Sequence, residues 1–155
     1  MPKISCDKEV NEFFKKQEKE ATAIISTCAG VFVVGGSGLL AGKRAASNFH
    51  MTKYLTHVGA IPSHAEVETD GKFYSAGPAV GSYEVALMVV KKMYGEDAAQ
   101  HIEQNLLEYS PNPVLGVGSP ELAGKFKTAI SKMLIAPINP IYKWTAKRGY
   151  RANRA

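Results

Sequence analysis

Two of the 155 residues are cysteines and four are histidines, and one of the six, Cys28, lies in a setting that organises a nucleophile. It follows Thr22–Thr27, a near-continuously apolar, β-rich run of the kind carried by a strand buried on both faces. Ala29, Gly30 and a small-residue helix follow it at once. A thiol between a strand and a helix sits on a sharp turn, where small neighbours leave room for a substrate. The helix start contributes backbone N–H groups and positive dipole density, which favour the thiolate. Ala29 and Gly30 are therefore the candidate donors of a backbone oxyanion site. The competing reading of the same spacing is a buried, inert cysteine.

The elements that must hold this turn are legible in order. Asp7 is a plausible N-cap for a helix over 8–20, with Val10, Phe13, Phe14 and Gln17 on one face. A strand over 22–27 leads to the cysteine, and a helix over about 29–37 stops at Gly38. A short strand at 44–47 precedes a helix over 50–58 that ends at Gly59, and Pro62 marks a loop. Alternation after Ala65, the Asp70-Gly71 turn and Lys72–Ser75 predict a β-hairpin. Helices over 82–94 and 96–108 meet at Gly95, and the stretch from Pro111 to Pro120 reads as loop. A last helix over 120–135 is followed by Pro137 and Pro140, which are expected to end regular structure. Helices alternating with short buried strands predict an α/β fold with a mainly parallel sheet. Glu84 stands near the start of its helix, where a cap role is expected of it.

Bulk properties narrow the function classes. Apolar residues make up 45% and charged residues 21%, the ordinary range of a globular domain. The longest apolar stretch, Ala29 to Leu40, is broken by Gly30, Gly35, Gly36, Ser37 and Gly38, so no membrane span is expected. The N-terminus has no apolar secretory core, and a cytoplasmic location (or another reducing compartment) is expected. The net charge of +5 gathers in Lys143, Lys147, Arg148, Arg151 and Arg154, with no acid among them. That pattern is expected of a solvated basic tail over 137–155, behind a domain over 1–136, rather than of a nucleic-acid arm. Two cysteines and no histidine pair at helical spacing give no metal site, and no cofactor motif is present.

Several short stretches, in this order, resemble the ThiJ/PfpI superfamily and its isonitrile-hydratase-like branch. They are Thr27-Cys28-Ala29-Gly30, Gly38-Leu39-Leu40-Ala41-Gly42-Lys43-Arg44-Ala45 and His57-Val58-Gly59-Ala60-Ile61-Pro62. The Asp70-Gly71 hairpin with Ser75-Ala76-Gly77 belongs to the same pattern, as do Leu107-Glu108-Tyr109-Ser110-Pro111-Asn112-Pro113 and Gly118-Ser119-Pro120-Glu121. The resemblance covers residues 7–122. It implies a flavodoxin-like three-layer sandwich, often oligomeric, lacking the family's N-terminal strand–helix–strand portion. It implies a cysteine-dependent hydratase or hydrolase acting through Cys28 on a small molecule, with Asn48, His50 and Gly77 as candidate pocket residues.

Three departures qualify that implication. The acidic residue that accompanies the cysteine in the family would precede residue 7. Ala29 stands where isonitrile hydratases carry a threonine, and Asn48 stands where many relatives have a histidine. Asparagine is no general base at neutral pH; His50 would substitute only after a local shift and reads as a surface residue, like His57, His64 and His101. Two expectations follow. The chain is an enzyme completed by a homo-oligomer or by a partner chain supplying the missing portion, or it is a non-catalytic assembly subunit that keeps the fold. Tyr142, Trp144 and Tyr150 among the terminal cations suggest either a docking arm or a loose tail.

Overall fold

The computed structural model describes residues 4–107, 110, 114–115 and 118–152. Helix α1 spans Lys8–Glu20. The Asp7 carboxylate accepts from the N–H groups of Glu9 at 2.9 Å and Val10 at 3.2 Å, satisfying two orphan donors of the first turn. Strand β1 (Ile24–Thr27) runs into a 3-10 turn at Cys28–Gly30, and α2 follows over Val31–Gly36. Strand β2 (Arg44–Ala46) leads to a 3-10 helix over Thr52–Val58, closed by Gly59 at φ +75°. Strands β3 (Ile61–Ser63), β4 (Val67–Asp70) and β5 (Phe73–Ala76) come next. They precede α3 over Gly81–Tyr94 and α4 over Glu96–Ile102, which runs into a π-helical turn at Glu103–Leu107. Helices α5 (Pro120–Ala123), α6 (Lys125–Ile135) and α7 (Asn139–Ala152) complete the described residues.

The principal sheet has the order β1-β5-β4, parallel between β1 and β5 and antiparallel within the β4–β5 hairpin. Strands β2 and β3 pair in parallel beside it. Every residue of β5 is buried, and its side chains alternate between two cores. Phe73 joins the larger cluster, with Val31, Phe32, Leu55 and Val58. Tyr74 and Ala76 point the other way, onto Val85 of α3. Helical layers on both faces of a sheet make the α/β sandwich that alternating helices and strands predict.

The hairpin, Gly38, Gly59 and the cap at Asp7 fall where the sequence places them. Three expectations are corrected. Pro62 lies inside β3 and not in a loop. The Ile61 N–H donates to the Lys43 carbonyl at 2.8 Å, and proline's missing donor is tolerated on so short an edge strand. The helix over 120–135 is interrupted at Gly124, φ +82°. Regular structure does not end at Pro137 and Pro140. Pro140 falls in the first turn of α7, where the lost N–H would have had no partner.

Helix α7 is no solvated tail. It packs on α2, on the 3-10 helix over Thr52–Val58 and on the turn at Ile4–Cys6, with Ala146 buried at 1% exposure. Gly149 permits this approach: a Cβ there would meet the Ser5 carbonyl and come within 3.4 Å of Gly36 Cα. Trp144 is exposed, beneath the Arg148 guanidinium, while Tyr150 packs on the core. Part of the proline-bearing stretch after Leu107, including Glu108, Tyr109 and 111–113, lies outside the described residues. Among the described residues no helix is long and apolar enough to cross a membrane.

Candidate functional site

Cys28 occupies the turn that its sequence setting implies, and its backbone is the evidence. Thr27 is still extended (φ −126°, ψ 144°), Gly30 is already helical (φ −59°, ψ −28°), and Cys28 between them has φ +53°. Among the described residues it alone, of those that are not glycine, has positive φ. A side chain in the left-handed region costs roughly 1–2 kcal/mol, so surrounding contacts must hold it there.

Those contacts come from the residues after β2. The Ser47 hydroxyl donates to the Cys28 carbonyl at 3.0 Å, and the Asn48 side-chain amide donates to Cys28 Sγ at 3.2 Å. Ser47 and Asn48 are themselves fixed. The Thr52 hydroxyl lies 3.1 Å from both of their carbonyl oxygens, and the Met51 N–H donates to the Asn48 carbonyl at 2.8 Å. One residue earlier, the Ala46 N–H donates to Ser75 Oγ of β5 at 2.8 Å. Gly77, just past β5, backs the segment so closely that an added Cβ would lie 2.6 Å from the Ser47 carbonyl oxygen. Core strand, turn and thiol form one connected assembly.

Cys28 is half-buried, and neither it nor Cys6 is in a disulfide. Above Gly30, space is open: a Cβ built there meets nothing within 4 Å. Asn48 Oδ1 is buried without a hydrogen-bond partner, an acceptor left over beside the thiol. Among the described residues Asn48 is the side chain that hydrogen-bonds the sulfur, and no carboxylate reaches it.

Of the sequence-predicted residues, Cys28, Asn48 and Gly77 come together, and Ala29 and Gly30 line the same turn. His50 does not join them. Its Nε2 lies 2.9 Å from Ser131 Oγ of α6, its ring centroid lies 3.7 Å from that of Phe49 with the planes tilted by 39°, and Nδ1 is buried without a partner. Burial first, then the Lys132 ammonium, pushes its pKa below the usual histidine value. Glu84 is exposed in the first turn of α3, which has no side-chain cap. The missed contributor is Ser47, whose Ser-Asn-x-x-x-Thr spacing to Thr52 was the available signal. Among the described residues, no three His, Cys, Asp or Glu side chains are placed to hold a metal.

Residues 2–92 fit the model of the DJ-1/PfpI family, and the chain belongs to it. It is 34% identical over 117 residues to an isonitrile hydratase of Pseudomonas putida, covering 76% of this chain and 51% of that protein. The chain thus spans about half the length of this relative. A THiJ/PfpI family protein from Pseudomonas syringae superposes with a TM-score of 0.86 at 25% identity, over 94% of this chain and 60% of that one. Drosophila melanogaster DJ-1beta superposes at 0.58 with 23% identity, over 67% of this chain and 56% of its own.

Proposed function

We propose that the chain carries the nucleophile of a cysteine-dependent hydratase acting on isonitrile-class substrates, with Cys28 as that nucleophile. The observation that supports this reading most is the pairing of a left-handed backbone at Cys28 with the Asn48 amide aimed at its sulfur. The likeness to the Pseudomonas putida isonitrile hydratase suggests the substrate class.

In this reading the thiolate adds to the terminal isonitrile carbon, forming the C–S bond, and the same carbon takes a proton to give a thioimidate. Water adds to that carbon, one of its protons passes to nitrogen, and as the C–S bond breaks the hydroxyl proton is released, replacing the one taken up in the first step. The thiolate and an N-substituted formamide leave, one water consumed per turnover. The Asn48 N–H stabilises charge on sulfur at both ends of the cycle. The Ala29 and Gly30 N–H groups, in the turn beside the open space over Gly30, are the candidate donors to charge that develops there. Asn48 has no proton to give, so the proton comes from water or from a carboxyl group of another polypeptide segment, in a homo-oligomer or a partner chain. A cytoplasmic, reducing setting suits two cysteines that form no disulfide.

The test is formamide production from an alkyl isonitrile by the purified chain, alone and mixed with the N-terminal half of a full-length relative. Product that vanishes in Cys28→Ser supports the reading; product that persists in Cys28→Ser refutes it.

The absence of a carboxylate at the sulfur among the described residues favours a second reading, a non-catalytic assembly subunit that keeps the fold. Light scattering separates the two when joined to that assay. A stable complex that forms no formamide selects the subunit.

A further inference from the structure

Apart from the thiol, the chain builds a second concave site that the reaction at Cys28 does not use. A surface cavity of about 300 Å³ lies between the 3-10 helix over Thr52–Val58 and α7, lined by Thr56, His57, Lys147, Tyr150 and Arg151. Lys147, Tyr150 and Arg151 are spaced i, i+3, i+4, which puts them on one face of α7. Both walls are anchored. Leu55 and Val58 beneath the 3-10 helix are fully buried, and Ala146 one residue before Lys147 is 1% exposed. Gly59, φ +75°, lies so close under the Tyr150 ring that a Cβ there would strike the hydroxyl.

The lining holds two permanent cations, an imidazole, two hydroxyls and no acid. Neither Lys147 nor Arg151 forms an ion pair among the described residues. A position near the C-terminal end of α7 suits cations by its dipole, but that does not require them to converge on a histidine. Their convergence is felt: burial first, then Lys147 and Lys143, holds the His57 pKa below its usual value. No carboxylate is among the influences on His57. Besides these cations the groups around His57 are Arg151 and Tyr150 of α7, and Thr56, Tyr54 and Lys53 on its own segment. Neither β3 nor α2, which also pack on that segment, has a titratable side chain.

We propose that this cavity binds a small phosphate dianion, free or as the phosphate of a monoester, held by Lys147 and Arg151 with His57 as a third, proton-linked donor. The guanidinium fork and a dianion match in geometry and charge. The volume is at the small end of small-molecule sites and admits a headgroup of that size. Binding adds the missing negative charge, so it favours protonated His57 and raises its titration midpoint.

The experiment follows the His57 ring protons by NMR on the full chain, assigned with His57→Asn. Inorganic phosphate, glycerol phosphate and sodium chloride are titrated at matched ionic strength. The proposal expects a saturable shift with the phosphates and none with chloride, and a His57 titration midpoint that rises when phosphate is present. Lys147→Gln/Arg151→Gln is expected to weaken binding at least tenfold, with the melting temperature as the folding control. Tighter binding of glycerol phosphate would mark a monoester site, and equal binding a site for the free anion. A linear shift that follows ionic strength, or unchanged saturation in the double variant, overturns the proposal. Neither result bears on Cys28.

Discussion

Replacing Cys28 by glycine and by alanine isolates the backbone strain at the elbow. Both variants lose the sulfur and its bond to Asn48, so they differ in what the turn asks of residue 28. At φ +53° alanine bears a left-handed penalty of roughly 1–2 kcal/mol that glycine escapes. Glycine has more freedom to lose on folding, which returns about 0.5–1 kcal/mol. The balance favours Cys28→Gly over Cys28→Ala by about 0.5–1 kcal/mol. In a domain of this size that is a rise of roughly 1–4 °C in melting temperature. Cys6 supplies the control, because it lies in a 3-10 turn without positive φ. There glycine should be the less stable of the two by about 0.5–1 kcal/mol. Urea denaturation of the four variants reads the sign directly. If Cys28→Ala equals or exceeds Cys28→Gly, the strained elbow is refuted.

Other outcomes follow from the packing around it. Leu55, fully buried between α2 and α7, should cost about 2–5 kcal/mol as Leu55→Ala, measured by urea denaturation. Gly77→Ala should cost about 1–3 kcal/mol and also slow alkylation of Cys28, since its Cβ meets the Ser47 backbone that positions Asn48. The Arg44 N–H, chiefly, with Lys43 beside it, holds the Asp70 carboxyl below its ordinary pKa. A depressed carboxylate contributes stability above its unfolded pKa that is lost as pH falls through the folded one. Melting temperature followed below about pH 4 should therefore fall less steeply in Asp70→Asn than in the parent chain.

What the sequence revealed were features carried by local chemistry. Asp7 before an amphipathic run, Asp70-Gly71 between alternating segments, and Gly38 and Gly59 at helix ends each act within a few residues. The strand–cysteine–helix order at Cys28 was legible for the same reason. What stayed hidden depends on contacts between distant segments. Asn48 read as a lost base because no spacing announces that its amide points at a sulfur 20 residues away. His50 read as a pocket candidate, but its bond to Ser131 spans 81 residues. Pro137 and Pro140 read as breakers because the faces that recruit α7, on α2 and around Leu55, exist only once those elements have folded. Lys147 and Arg151 read as tail charge until α7 placed them against His57.

The account rests on the elbow making Cys28 the reactive thiol, and competitive alkylation tests this most directly. The native chain is treated with limiting iodoacetamide, and modification of Cys28 and Cys6 is resolved by peptide mass spectrometry. Both cysteines are outside any disulfide and partly exposed, so access alone does not separate them. Cys28 should be modified several-fold faster than Cys6, and Asn48→Leu, which removes the donor from the sulfur, should erase most of that advantage. Equal rates at the two cysteines, or a Cys28 rate indifferent to Asn48, would contradict the account.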